Sequence, residues 1–260
     1  MTATLIHADL RHFLRSHRGG NKTQILSELI AEIQVEALGD LWMPAFNYGF
    51  SRGEDFRVAY TPSQSGVLSE YFRLQLSTWR THVPIFSIAG TGPQPEVATD
   101  GPVLLAFGPC SAYAALVANG GVVLMVGCDL RFLTLAHYAE VADGFPVLYR
   151  YDKDFAGVIE LIDGSCTEVI VRYHVTLPTN RITYDWSIVQ QRMATAGALR
   201  EIHKFGGGSL IDAPRFVDEW QRLARVDPFW PLSAESRIWV QPMSERLGRR
   251  FVQSDFEAAE

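Results

Sequence analysis

The chain has 260 residues, enough for one large domain or two small ones, and a 47% hydrophobic content supports a substantial core. A formal net charge of −6, with acidic residues occurring singly, argues against a nucleic-acid or anionic-membrane partner. No window approaches the roughly 20 uninterrupted apolar residues that span a bilayer, and the first residues lack the basic-then-apolar order of a signal peptide. A soluble cytoplasmic protein is expected.

TLIHADL, Thr4 to Leu10, has strand character. RHFLRSHRGGNK follows as a predicted polar, basic loop that turns at Gly19 and Gly20. Asn21 and Gln24 resemble a capping box, and Ile25, Leu26, Leu29, Ile30 and Ile33 then form a helical stripe that ends by Gly39. DLWMPAF reads as a second strand, stopped near Pro44. NYGFSRGEDFRVAYTPSQSG is loop-like, and a long ordered loop in a compact domain is more often functional than filler. VLSEYFRLQL, Val67 to Leu76, is a helix started by Ser65 or Gly66, and IFSIAG is a short strand followed by a linker with Pro93 and Pro95. Ser111 caps a short helix, SAYAALVANG.

GGVVLMVGCD, Gly120 to Asp129, is a valine-rich apolar run launched by a double glycine, as a buried central strand of an α/β sheet would be. LTLAHYAE, Leu133 to Glu140, follows it. Thr134 is placed to cap a helix on which His137 and Glu140, three apart, share a face. An imidazole and a carboxylate would then sit beyond the carboxyl end of a central strand, where open α/β sheets place their sites. Leu133, Leu135, Ala136, Ala139 and Val141 make the surroundings apolar. His137 is the candidate general base.

From Pro146 the texture changes, and VLYRYDKDFAGVIELIDGSCTEVIVRYHV alternates polar and apolar residues about a turn at Asp163 and Gly164, an antiparallel hairpin signal. A helix from Asp185 to Gly197, a strand from Leu199 to Phe205, a turn at Gly206 to Gly208 and a last amphipathic helix through PRFVDEWQRLAR are expected. The tail after Pro231 carries no readable pattern. Strand–helix alternation predicts one α/β domain over residues 1–260, with a mixed central sheet between two helix layers and an antiparallel hairpin excursion near residues 146–176.

Several motifs are missing. No GxGxxG follows a strand, no Walker loop occurs, and the seven histidines lack HxxxH or HExxH spacing, so no metal site is expected. Cys110, Cys128 and Cys166 are odd in number and widely spaced, which predicts buried, unpaired thiols. Cys128 has apolar neighbours that would raise its pKa and leave it inert as a nucleophile.

Six segments nevertheless resemble, in order, the aminoglycoside 3-N-acetyltransferase family. LIHADL is similar to the family's first strand and loop, and LWMPAFNYGF to its strand ending in Met-Pro-Thr-Phe. TPSQSGVLSEYFR resembles its Ser-Pro-Ser segment and following helix. RTHVPIFSIAGTG resembles Arg-Ser-x-His-Pro-x-x-Ser, with Thr81 and Ser87 at the hydroxyl positions and Val83 where the family usually has His. FGPCSAYAAL resembles its Gly-x-x-Ser segment, and LTLAHYAE its Thr-x-x-His-x-x-Glu. NYGF and VLYRYDKDFAGVI look like the members associated with surface amino-sugar or secondary-metabolite genes, and CDLRF replaces a more polar segment of the resistance enzymes.

The resemblance implies a three-layer α/β/α fold distinct from the GNAT fold, in a cytoplasmic monomer or homodimer. It implies direct, metal-free acetyl transfer from acetyl-CoA to a primary amine of an amino sugar, with His137 as base, Glu140 orienting it, and Thr134 steadying the thioester oxygen or the start of the helix. Thr81, Ser87 and Ser111 match positions that line the family's cofactor channel. The competing readings are an aminoglycoside-modifying resistance enzyme and a non-catalytic relative of the fold.

Overall fold

The computed structural model describes residues 2–16, 20–96, 103–144, 147–175 and 182–256. The chain runs β1 (Ala3–Ala8), α1 (Arg11–Ser16), α2 (Lys22–Glu36), β2 (Asp40–Pro44), β3 (Phe56–Arg57), α3 (Val67–Gln75), β4 (Trp79–Arg80), β5 (Ile88–Gly90), β6 (Val103–Leu105) and α4 (Ala112–Ala118). It continues through β7 (Val122–Val126), α5 (Leu135–Val141), β8 (Tyr151–Glu160), β9 (Cys166–Val175), α6 (Trp186–Thr195), β10 (Leu199–Ile202), β11 (Gly208–Asp212), α7 (Ala213–Val226) and α8 (Ala234–Leu247).

The larger sheet has the order β10-β11-β7-β1-β2-β5-β4. β1 is parallel to β2 and β7, and β11 and β5 flank this trio antiparallel. The parallel core matches the predicted alternation. Beyond it, the short connection from Arg80 to Ile88 is too brief for a crossover, so β4 and β5 pair antiparallel.

Alternating side chains of the central strands feed two cores. Leu5, Trp42, Val123 and Met125 point to one face, where they meet Tyr113, Leu135, Val189 and Phe216 from α4, α5, α6 and α7. Ile6, Met43, Leu124 and Val126 point to the other, against Leu29 and Ile33 of α2 and Phe72 of α3. This is the three-layer arrangement expected. No helix among the described residues is long and apolar enough to cross a membrane.

The hairpin is more than an excursion. β8 and β9 pair over ten residues each, and β3 and β6 add parallel strands at either side, giving a second, four-stranded sheet with its own core of Phe50, Phe56, Ile159 and Val171. The limits expected for it at 146 and 176 lie outside the described residues.

Other expectations need correction. The basic segment after Leu10 begins with α1, and its residues 17–19 lie outside the described residues. Asn21 caps α2 by accepting from the N–H groups of Thr23 and Gln24, but the Gln24 side chain turns to Glu28 at 2.8 Å, so the capping box is not reciprocal. Of the two expected starts, Gly66 is the one that precedes α3; β10 stops at Ile202, short of Phe205, before a tight turn in which Phe205 has φ 60°. β11 went unpredicted, and α7 is followed by a further helix, α8, that contains Pro242. Cys110 and Cys166 are exposed, and only Cys128 is partly buried.

The glycine turn before β11 has a sharp steric requirement. Gly208 has φ 148°, and a Cβ there would press into the carbonyl oxygen of Met125 on β7. Backbone cannot yield as a flexible side chain does. Gly208→Ala is therefore expected to destabilise the protein by about 2 kcal/mol or more, seen as a lower urea midpoint at unchanged slope.

Candidate active site

β1 and β7 are parallel neighbours, so their carboxyl ends open on the same side, and the loop after β7 carries α5 across that opening. His137 and Glu140 face one another on α5, with His137 Nδ1 3.2 Å from Glu140 Oε2. About 29% of the His137 side chain is exposed, whereas the Glu140 side chain is wholly buried.

A buried carboxylate must be fully satisfied, and this one is. Oε2 accepts from His137 Nδ1 and, at 2.9 Å, from His174 Nε2 on β9. Oε1 accepts from Tyr149 Oη at 3.0 Å, from Arg150 Nε at 3.0 Å and from the Tyr184 hydroxyl. Arg150 also donates to Tyr184 Oη at 2.6 Å. Burial alone would raise the Glu140 pKa, but the Arg150 charge and the two histidine hydrogen bonds outweigh it and hold the carboxyl well below its usual range. Arg150 is pushed up in turn, because the Glu140 charge overcomes the effect of its burial.

An ionised carboxylate can only accept, so both bonded imidazole nitrogens must carry hydrogens. That leaves His137 Nε2 with its lone pair. Burial lowers the His137 pKa, against the opposing pull of Glu140. Burial brings His174 down to about 4. His137 is thus neutral and ready to accept a proton at neutral pH.

His137 lines a cleft of about 760 Å3, together with His7, Ser65, Phe86, Cys128 and Thr134. Asp9, Arg11 and Arg131 stand on its wall, where Arg11 pairs with Asp9 at 2.5 Å and Arg131 with Asp129 at 2.7 Å. Phe107 packs 5.4 Å from the His137 ring, centroid to centroid, and lines a second cleft of about 380 Å3 with Tyr173 and His174.

Thr134 does not cap α5: its φ and ψ are helical and its hydroxyl makes no capping bond. Its Oγ1 instead accepts from Tyr113 Oη at 2.9 Å and lies 3.2 Å from Nε2 of His7, whose pKa burial lowers to about 4. The hydroxyl joins α4, α5 and the end of β1. Ser111 caps α4 as expected, accepting from the Ala114 N–H at 3.2 Å. Thr81 and Ser87 are buried, with Thr81 accepting from the Ile88 N–H at 2.9 Å. Ser87 donates to the Ala45 carbonyl at 2.7 Å and accepts from Arg80 at 3.0 Å. Neither lines either cleft.

Histidines that lack a metal-binding spacing in sequence do converge in space. The ligand atoms of His137, Glu140 and His174 lie within 4.8 Å of one another, a separation a metal ion could bridge. The guanidinium of Arg150 already supplies a cation to that carboxylate, which works against a second one. Cys128 is held inert, its thiol pushed up to about 12 by burial.

His174, Arg150, Tyr149 and Tyr184 are absent from the sequence-derived site. His174 sits on the strand face whose neighbour Arg172 is exposed, so periodicity would turn it outward; the Glu140 carboxylate and the Phe107 and His137 rings packed on it bury it.

A sequence profile described as aminoglycoside 3-N-acetyltransferase matches residues 5–220. No curated protein matches the chain by sequence. Among solved structures, the chain is similar to AAC-IIIb in a binary complex with CoASH, at 20% identity, TM-score 0.66, and coverage of 86% of this chain and 90% of that one. Aminoglycoside acetyltransferase AAC(3)-Xa is similar at 20% identity, TM-score 0.67, and coverage of 86% of each chain. The YokD protein from Bacillus subtilis is similar at 15% identity, TM-score 0.63, and coverage of 85% and 86%.

Proposed function

The chain belongs to the aminoglycoside 3-N-acetyltransferase family, and we propose that it moves an acetyl group from acetyl-CoA to a primary amine of an amino sugar, with His137 as general base. The observation that carries this reading is the His137 imidazole, whose Nδ1–H is held by a buried carboxylate while the ring faces the 760 Å3 cleft.

In this reading the neutral amine attacks the thioester carbonyl carbon, forming the C–N bond. His137 Nε2 takes the proton that the nitrogen must shed. The C–S bond then breaks, and the imidazolium returns that proton to the departing thiolate. Glu140 stabilises the imidazolium and fixes the tautomer. His174 and Arg150 act through Glu140 as positioning residues. Thr134, with its hydroxyl between Tyr113 and His7, anchors the start of α5 against the base of the cleft. Ser111, Thr81 and Ser87 keep the cofactor-channel role that the family resemblance implies, Ser111 from the start of α4 and Thr81 and Ser87 from buried positions behind the cleft wall.

The pantetheine arm is assigned to the larger cleft, with Arg11 and Arg131 at its mouth for the phosphates. The similar structure of AAC-IIIb with CoASH supports a CoA thioester as donor. The whole chain works as one catalytic domain, as a monomer or homodimer in the cytoplasm, where CoA thioesters are held.

Calorimetry tests the donor. Acetyl-CoA and CoA are expected to bind in the presence of EDTA, and the pair Arg11→Ala and Arg131→Ala is expected to weaken both by about tenfold or more. No binding at millimolar acetyl-CoA would remove the acetyltransferase reading.

A further inference from the structure

Acetyl transfer builds charge at two places. His137 meets the proton of the amine, but the thioester oxygen also becomes an oxyanion as the C–N bond forms. Preorganised donors aimed at such an oxygen are usually the largest single contribution to rate.

His7 is a buried imidazole that takes no part in the proton transfer. It lies on β1 beside Met125 of β7, two residues on from Leu5, and so faces α4 and α5. It is 7% exposed and lines the larger cleft. Its backbone is held by the ladder to β7 and by the Cys128 thiol, which donates to the His7 carbonyl at 3.4 Å. Nε2 of the ring is 3.2 Å from Thr134 Oγ1. The backbone of Thr134 is helical, and His137, one turn on, donates its N–H to the Thr134 carbonyl at 3.0 Å. One threonine side chain therefore separates the two imidazoles of the cleft.

The hydrogen bonds set the tautomer of His7. Tyr113 Oη donates to Thr134 Oγ1 at 2.9 Å, so the threonine hydrogen is passed onward, and His7 Nε2 is the acceptor beside it. The hydrogen of the neutral ring is then on Nδ1, which makes no hydrogen bond among the described residues. Burial brings the His7 pKa down to about 4, so the ring stays neutral at physiological pH. Donation along the chain into Nε2 polarises the ring and strengthens Nδ1–H as a donor.

Resting on the acetyl-transfer reading above, we infer that His7 is a second catalytic imidazole, its Nδ1–H donating to the thioester oxygen of acetyl-CoA. Thr134 and Tyr113 are the positioning residues that fix its tautomer. The hydrogen stays on His7 throughout. Its bond to the oxygen tightens as the C–N bond forms and slackens when the C–S bond breaks and the carbonyl returns. His137 accepts and His7 donates.

Infrared spectroscopy of acetyl-CoA isotopically labelled at the carbonyl carbon, bound to the intact protein, tests this without an acceptor. A hydrogen bond to the oxygen lowers the carbonyl stretch relative to free acetyl-CoA. That lowering is expected in the wild type, lost in His7→Leu, and reduced in Thr134→Val, which keeps His7 and the shape of the threonine. Acetyl-CoA binding by calorimetry should change little in either variant. No lowering in the wild type, or an unchanged stretch in folded His7→Leu with acetyl-CoA bound, would overturn the inference. Should His7→Leu fail to fold, an unchanged stretch in Thr134→Val overturns it equally. In turnover with glucosamine, His7→Leu is expected to lower kcat by roughly 10²–10³-fold at unchanged KM for acetyl-CoA. A loss confined to KM would count against it. Wild-type protein that binds no acetyl-CoA would remove the acetyl-transfer reading and this inference together, whereas an unchanged stretch leaves that reading standing.

Discussion

Replacing His137 with alanine is expected to lower turnover by roughly 10²–10⁴-fold, the usual worth of a general base, while acetyl-CoA binding changes little. In the proposed mechanism the imidazole acts on the amine and not on the donor's phosphates, so the loss belongs in kcat. The pH profile gives a second readout. Burial lowers the His137 pKa, so the part of the activity rise that reports this imidazole should fall below the ordinary histidine value of 6.5. Glu140 pulls the other way, raising it. Glu140→Gln should therefore shift that rise to lower pH and cost less in rate than His137→Ala. A folded His137→Ala protein with near-normal turnover of a working acceptor would end the mechanism.

The largest effect on stability is expected at Arg150. Arg150→Met removes the guanidinium from a carboxylate whose side chain has no exposure, and breaking a buried ion pair from one side costs about 3–5 kcal/mol. Thermal unfolding should fall by about 10 °C, given roughly 2–4 °C per kcal/mol in a chain of this size. Removing both partners, as Arg150→Met with Glu140→Leu, should regain much of the loss, because neither charge is then left alone. The pH dependence separates this from simple loss of packing. The Glu140 carboxyl lies well below its usual range when folded, so its contribution is present above the unfolded value of about 4.3 and is lost as pH falls through the folded one. The deficit of Arg150→Met should therefore shrink in acid. A deficit that stays constant as pH is taken through about 4.3 and on to about 3 would show that Arg150 matters for packing alone.

The legible part of the fold was the part written locally. The apolar run of β7, the stripe of α2 and the period-two texture of β8 and β9 each declare themselves within a dozen residues. β11 did not, because Gly208 to Asp212 is short and, although it pairs with β10 just before it, its other partner, β7, lies far upstream. The His137–Glu140 pair was legible for the same reason: three residues apart on a helix fixes a shared face. Arg150 and Tyr184 lie 10 and 44 residues from Glu140, and no spacing rule links them. Thr81 and Ser87 were singled out by their match to the hydroxyl positions of the family segment. Their hydroxyls are spent on the Ile88 amide and the Ala45 carbonyl, a commitment only the tertiary structure discloses.

The same sequence separations bear on when the base becomes competent. Glu140 meets its four downstream donors across 9, 10, 34 and 44 residues of chain, and the longer closures bring β9 and the segment before α6 back onto α5. Closing such loops costs chain entropy before any contact returns it, so long-range pairings form late. Helix α5 by itself sets His137 and Glu140 three residues apart on one face but lacks Arg150 and His174, which help hold the carboxyl's pKa down in the fold. The full set of hydrogen bonds on Glu140 is consequently a property of the finished molecule, and on the mechanism proposed a nascent or partly unfolded chain carries the residues of the site without its reactivity.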